Sequence, residues 1–302
     1  MQDAITKQLT PHVQEIRQHV SMAKLTSFKI GGPARYLVTV NTIESLRFVL
    51  DVAARAGLST IILGGGSNML VADIGYTGIV IRLAMTRVTI EGNRVTAEAG
   101  VKTVALAQQT VAAGLTGFEW AVGIPGTIGG AVRGNAGAVG GEMRDNVVTV
   151  EALVDGDIAT FTNADCEFDY RHSAFKENGG IILSTTLELA AGDPATGAKK
   201  MHDALMHRMT TQPKGFASTG CIFKNIVTPD GQRISAGKLI DEAGLKGTEL
   251  GGARVSEAHG NFVINTGEAT AEEIRELVER IKAQVYATSG YQLHEEIQYV
   301  GF

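Results

Sequence analysis

The sequence predicts an α+β protein of about two domains. Three observations carry this reading. The chain has 302 residues, more than one typical domain needs. Stretches of helical apolar spacing are interspersed with short apolar runs of strand length. Glycine is concentrated in the loops between them, above all in Gly64-Gly65-Gly66-Ser67-Asn68 and in Gly123 to Ala138.

Residues 3–22 place Ile5, Leu9, Val13, Ile16 and Val20 near helical spacing, with Pro11 breaking or restarting the helix. Thr42 can cap a helix to about Arg55, with Ile43, Leu46, Leu50 and Ala54 on one face and Gly57 beyond its end. Thr60 to Leu63 reads as a short strand entering the first glycine cluster. Ile79 to Leu83 and Arg94 to Ala99 read as further strands, and Thr103 to Ala113 as a small-residue helix closed by Gly114. Val147 to Val154, Ala159 to Thr162 and Ile181 to Ala190 suggest an antiparallel sheet. The Gly/Ala/Pro/Asp stretch Ala190 to Gly197 marks an expected domain boundary, followed by a helix over Lys199 to Met209. A short helix over Ala236 to Ala243 ends at Gly244, and a strand follows at Phe262 to Asn265. Thr270 and Glu273 form a capping box for a helix bearing Ile274, Leu277, Val278, Ile281 and Val285. Glu295 to Val300 reads as a last strand.

Composition narrows the function classes. A hydrophobic fraction of 44% with 20% charged residues is that of a globular protein. A net charge of −5 argues against a nucleic-acid partner. No apolar run approaches the ~20 residues that span a bilayer, so no membrane association is expected. Cys166 and Cys221 stand far apart, with no His or Cys at metal-ligand spacing, which argues against disulfides and against a metal. A reducing cytoplasm is the expected compartment.

The two glycine clusters carry the chemistry. Gly123 to Ala138 holds six glycines in sixteen residues, yet also Ile124, Ile128, Ala131 and Val132. So much glycine in a buried run is costly unless main chain must approach something closely or turn left-handed. Main chain packed on a large flat ligand is one reading, and a glycine-rich structural turn is the other. Gly64 to Asn68 follows a strand, and successive N–H groups there can form an anion-binding concavity. Its spacing is neither that of a Walker loop nor that of a Rossmann turn.

Thr26-Ser27-Phe28-Lys29-Ile30-Gly31-Gly32-Pro33-Ala34, the Gly64 cluster with Met69 and Leu70, Gly117-Phe118-Glu119, and Gly123-Ile124-Pro125-Gly126-Thr127-Ile128-Gly129-Gly130 occur in that order. In this the chain resembles the UDP-N-acetylenolpyruvoylglucosamine reductase family, from about Leu25 to Gly301. The resemblance implies an FAD-binding domain of the vanillyl-alcohol-oxidase (PCMH) type in two subdomains, plus a smaller α+β substrate-binding domain. The expected segments are an N-terminal helical segment 1–24, the FAD domain 25–195 and the substrate domain 196–302. By the same resemblance Gly64, Gly65, Gly66, Ser67 and Asn68 hold the FAD pyrophosphate. Gly123, Ile124, Pro125, Gly126, Thr127, Gly129, Gly130, Asn135 and Gly137 line the isoalloxazine and ribityl side. Arg35 is a further candidate contact.

Phe168-Asp169-Tyr170-Arg171-His172-Ser173 matches the family's Tyr-Arg-x-Ser motif. The resemblance assigns Arg171 to the enolpyruvyl carboxylate, and a guanidinium suits a carboxylate because it donates in a fixed fork. Ser218-Thr219-Gly220-Cys221-Ile222-Phe223-Lys224-Asn225 matches the segment that usually reads Ala-Gly-Ser-x-Phe-Lys-Asn-Pro. The family's serine is the proton donor, and Cys221 stands in its place. A thiol, with an ordinary pKa near 8.5, is a credible acid. Ile226 replaces the usual proline, and Phe216-Ala217 departs from the usual Pro-Ser, while Gln212-Pro213 agrees. Glu296 aligns with the C-terminal catalytic glutamate, with Glu295 as its neighbour on the opposite face of a strand. Lys224, Asn225 and Lys238 are the expected substrate contacts. His259 is left outside the mechanism.

The implied function is NADPH-dependent, FAD-mediated reduction of UDP-N-acetylglucosamine enolpyruvate to UDP-N-acetylmuramate, in a ping-pong cycle that serves peptidoglycan synthesis. The chain carries no insertion between Asp165 and Gln212, which points to the family's shorter form, without the substrate-capping loop. A flavin oxidase on the same scaffold, and a regulatory flavin- or nucleotide-binding module, are the alternatives.

Overall fold

A computed structural model of the chain describes residues 3–138 and 140–302. The chain divides into two compact units that interleave along the sequence. The first comprises Met1–Gln18, Tyr36–Gly65 and Gly78–Arg208, and the second His19–Arg35, Gly66–Thr77 and Met209–Phe302. The expected boundary near Ala190–Gly197 thus differs from the observed division, which falls after Arg208. Asp193 explains why: its carboxylate accepts from the N–H and hydroxyl of Thr196 and so starts a helix there. Pro194, whose missing N–H is harmless in a first turn, opens helix α5, which runs Pro194–Thr211.

The first unit begins with α1 (Ala4–Leu9), capped by Asp3, which accepts from Thr6 N–H at 2.8 Å. The helix expected beyond Pro11 does not form. Thr10–His12 is a 3₁₀ turn and Glu15–Ser21 is strand β1. The backbone of His19 is left-handed (φ +52°), which a helix could not hold. Strands β2 (Pro33–Val40), β3 (Thr60–Leu63) and β5 (Tyr76–Leu83) join β1 in the order β1-β2-β5-β3, and β3 runs parallel to β5. Helix α2 (Ile43–Arg55) starts where expected, because Thr42 Oγ1 accepts from Ser45 N–H. It buries Leu46, Val49, Val52 and Ala53.

A five-stranded antiparallel sheet completes this unit. It contains Asp157–Thr162, Val147–Val154, Ile181–Glu188, β7 (Arg94–Glu98) and β6 (Val88–Glu91), in that spatial order. Helices α3 (Thr103–Ala112) and α4 (Ile128–Arg133) contribute Leu106, Ala107, Ile128 and Val132 to the shared core.

The second unit has its own core of Phe28, Leu70, Phe223, Ile240 and the apolar face of the helix Ala271–Ser289. Helix α6 is Ala236–Glu242, and α7 is Ala271–Ser289, opened by the Thr270/Glu273 capping box and closed by left-handed Gly290. Leu277, Val278, Ile281 and Val285 of α7 are fully buried. The strands Glu249–Leu250, Ala253–Val255 and Val263–Asn265 form a three-stranded sheet, and β4 (Met69–Val71) pairs in parallel with Gln298–Val300. No helix among the described residues is long and apolar enough to cross a membrane.

Candidate active site

In the first unit the two glycine clusters meet backbone to backbone. A Cβ on Gly65 would lie 2.5 Å from Gly126 Cα, and one on Gly64 would lie 2.9 Å from Thr127 Oγ1. Gly129 is equally constrained, because a Cβ there would lie 2.9 Å from that of Ala99. These glycines are therefore required by protein packing, which supports the structural-turn reading for part of the run. Gly123 and Gly130 differ. Their nearest neighbours are Arg208 Cδ at 3.9 Å and Thr127 Oγ1 at 3.7 Å, ordinary contact distances, and neither has a positive φ. Nothing among the described residues demands glycine at these two positions. At Gly130 the result is an exposed face of α4 on which a planar ligand could rest against peptide groups, and the residues fit a flavin in that respect.

Thr127 caps α4 by accepting from Gly130 N–H. Behind this loop, the 3₁₀ turn Glu119–Gly123 is anchored by Glu119, which is 5% exposed. Its carboxylate accepts from Thr116 Oγ1 and from Gly117 N–H at 2.7 Å, with Lys200 Nζ at 3.4 Å. Burial pushes this carboxyl up, but the hydrogen bonds and the Lys200 charge outweigh burial and hold it below its ordinary value. Arg208 Nη1 donates to Gly123 O at 2.7 Å. Sequence alone assigns no role to Glu119 or Arg208. For Glu119 the available signal is an acid in an otherwise apolar Gly117 to Val122 stretch.

Arg171 sits at the tip of a tight turn in the same unit. Asp169 and His172 exchange both backbone hydrogen bonds across it, and Arg171 itself is left-handed, φ +55°. Its guanidinium lies 5.3 Å from the Tyr170 ring centroid, and Nη2 donates weakly to Gly137 O at 3.4 Å. Gly137 pairs with Glu142, and a Cβ on it would lie 2.7 Å from that of Glu142. The side chain of Asn135 is fully buried and bonded within the protein.

The second unit holds the remaining candidates. Gly66 is left-handed, φ +63°, with Thr26 Cα at 3.0 Å from a Cβ placed on it. Ser67 and Asn68 follow. Asn68 Nδ2 donates to Glu296 O at 3.0 Å, and Gln298 N–H donates back to Asn68 O at 3.0 Å. The Gly66-Ser67-Asn68 turn and the C-terminal segment are thereby fastened together.

Cys221 and Glu296 lie on neighbouring extended segments, since Glu296 N–H donates to Ile222 O at 2.7 Å and Lys224 N–H to His294 O at 2.9 Å. Asn261 secures the other side of the segment. Its backbone carbonyl accepts from Ile222 N–H, its Oδ1 accepts from Phe223 N–H and its Nδ2 donates to Phe223 O. Glu295 is engaged by Lys282 of α7 at 3.0 Å. The last strand is shorter than expected, Gln298–Val300, so Glu296 precedes it and is half-buried. Asn225 Oδ1 accepts from Ala236 N–H at 3.1 Å, at the start of α6. The Lys238 side chain is exposed and 3.7 Å from Glu242. Cys166 is fully buried in the first unit, where burial and the Asp165 charge push its thiol up to about 12. Among the described residues no cluster of His, Cys, Asp and Glu could hold a metal ion.

Two family profiles match the chain: "FAD binding domain" over residues 34–161 and "UDP-N-acetylenolpyruvoylglucosamine reductase, C-terminal domain" over residues 212–300. The UDP-N-acetylenolpyruvoylglucosamine reductase of Clostridioides difficile is 43% identical over 95% of this chain and 94% of its own length. That of Bacillus velezensis is 36% identical over 100% of this chain and 99% of its own. The crystal structure of UDP-N-acetylenolpyruvylglucosamine reductase from Thermus caldophilus superposes with a TM-score of 0.79 at 37% identity, covering 95% of this chain and 98% of that one. The fold is therefore a PCMH-type FAD-binding domain joined to this family's C-terminal domain. The chain belongs to the UDP-N-acetylenolpyruvoylglucosamine reductase family.

Proposed function

We propose that this chain is a cytoplasmic flavoenzyme that reduces the enolpyruvyl ether of UDP-N-acetylglucosamine to UDP-N-acetylmuramate, with NADPH as reductant, in the supply of peptidoglycan precursors. The observation that carries the reading is near-full-length identity of 36–43% to reductases named for this substrate. The Tyr170-Arg171-His172-Ser173 motif and the place of Cys221 and Glu296 on adjacent, hydrogen-bonded segments support it. Gly64 to Asn68 would hold the FAD diphosphate, and Gly123 to Gly130 with the backbone of Asn135 and Gly137 would line the ring. Held there, FAD would supply the redox chemistry, hydride passage between NADPH and the carbon β to the substrate carboxylate.

The chain's own residues supply binding, electrostatics and a proton. The Arg171 guanidinium grips the carboxylate as a fixed, permanently charged fork. It also stabilises the negative charge that grows on the enolate as the β carbon is reduced. Glu296 helps hold that species, protonated and donating. Cys221 Sγ gives its proton to the α carbon, replacing the serine hydroxyl usual at this position. Lys224, Asn225 and Lys238 contact the nucleotide portion.

The test separates the two half-reactions. Cys221→Ala should leave bleaching of the yellow protein by NADPH intact and slow recolouring by the enolpyruvyl nucleotide by ~10²–10⁴-fold, the usual worth of a general acid. Cys221→Ser should recover much of that loss. Normal recolouring in Cys221→Ala would remove Cys221 from the mechanism. A purified protein that stays colourless with added FAD would overturn the whole reading.

A further inference from the structure

We propose that Asn135 is a positioning residue for Arg171 rather than a side-chain ligand of the flavin. This rests on the role given to Arg171 above. The Asn135 side chain is fully buried. Its Nδ2 donates one hydrogen to Glu142 Oε2 at 3.0 Å and the other to Asp169 O at 3.0 Å. Its Oδ1 accepts from Arg144 N–H at 3.0 Å. Both amide hydrogens and one acceptor site are used, so the side chain has no donor left for a ligand.

The bond to Asp169 has a particular consequence. The carbonyl of Asp169 is the base of the turn that carries Arg171. It accepts from His172 N–H at 3.0 Å and from Asn135 at the same distance, which fills both of its lone pairs. At the turn's third position Arg171 adopts a left-handed backbone, which glycine or asparagine would take readily and arginine resists. Such a conformation persists only where its surroundings over-determine it. Asn135 supplies one restraint at the base of the turn. Lys176 Nζ supplies another, donating to Arg171 O at 2.7 Å. Just past the turn, fully buried Ser173 donates from Oγ to Arg133 O at 2.7 Å and fastens the segment to the end of α4. Asn135 is itself left-handed, φ +40°, so asparagine meets two demands here: a backbone few residues accept, and a short amide with two donors pointing apart.

Asn135→Gly removes the amide while keeping that backbone accessible. Asn135→Asp keeps the volume and removes the donors. In both, recolouring of the reduced protein by the enolpyruvyl nucleotide should slow by about 100-fold, the usual cost of misplacing a reacting group by an ångström. The dissociation constant for FAD, read on the apoprotein by quenching of Trp120, the single tryptophan, should stay within about threefold of wild type. Because the effect passes through Arg171, adding Asn135→Gly to Arg171→Met should cost nothing beyond Arg171→Met alone. The proposal is overturned if the Asn135 variants recolour normally while Arg171→Met does not. It is also overturned if they lose FAD affinity by tenfold or more, if the double variant is additive, or if neither variant folds, since Asn135 would then serve the fold at large. Normal recolouring in Arg171→Met would instead overturn the assignment of Arg171 itself.

Discussion

Gly130→Ala separates what protein packing requires of the glycine-rich loop from what a ligand requires. Gly130 lies inside α4 with an exposed face, and among the described residues a methyl there would meet only Thr127 Oγ1 at 3.7 Å. The apoprotein therefore accepts it without strain. Replacing glycine by alanine within a helix stabilises by ~0.5–1 kcal/mol, which for a unit of this size is up to about 2–4 °C in Tm. If the flavin rests on this face of α4, the same methyl stands between ring and peptide. It should then weaken FAD by at least about tenfold, or ~1.4 kcal/mol. At saturating FAD that loss subtracts directly from ligand-linked stability, so the holoprotein should melt lower than wild type although the apoprotein melts higher. The assay is paired thermal melts of apo- and FAD-loaded protein, with a titration of FAD followed by Trp120 fluorescence. Gly129→Ala is the internal control. Its methyl would lie 2.9 Å from Ala99 Cβ, so it should destabilise the apoprotein by ~1–3 kcal/mol through overpacking. Unchanged FAD affinity in Gly130→Ala would refute the placement of the flavin against α4.

Three further outcomes are expected. In the native apoprotein one thiol should react rapidly with a disulfide reagent and disappear in Cys221→Ser. Cys166, fully buried and pushed up to about 12, should react only after denaturation; two rapid equivalents would contradict its environment. Burial lowers the pKa of His259, opposed by a backbone hydrogen bond and assisted by the Lys246 charge. Below its ordinary value near ~6.5 the unfolded chain therefore binds more protons than the folded one, and stability falls as pH drops through that window and is level above it. Urea midpoints of the second unit between pH 7.5 and 5 should show this slope, and His259→Gln should flatten it. Glu119→Gln removes the carboxylate that accepts from Thr116 and Gly117, and thermal melts should show a loss of ~1–3 kcal/mol; no loss would mean the anchor is not energetically important.

Where local physics suffices, the sequence and the structure agree closely. Thr42 and the Thr270/Glu273 box start their helices because a side-chain oxygen satisfies an otherwise orphaned N–H. Gly114, Gly244 and Gly290 follow helix ends in left-handed backbone. The strands Thr60–Leu63 and Val147–Val154 occupy the residues expected from their apolar runs. Local spacing misleads where distant partners decide. The i, i+4 spacing of Ile16 and Val20 fits a helix, but that segment forms sheet bonds beside β2, beginning with Gln14 N–H to Thr39 O. The Ala190–Gly197 stretch looks like a linker by composition, yet the Asp193 cap and the packing of Gly197 on Val111 make it the root of α5.

Short segments suffice to show the family and the order of its motifs, because both are properties of local residue patterns. The sharing of the chain between two interleaved units emerges in three dimensions alone, since His19–Arg35 and Gly66–Thr77 join the second unit through contacts with residues far along the chain. So does the distinction between glycines that serve packing and those that leave a face open, and so does the use of the Asn135 amide by Asp169, Glu142 and Arg144. Such hydrogen bonds and close approaches depend on the distance between chain segments, which no local pattern of residues records.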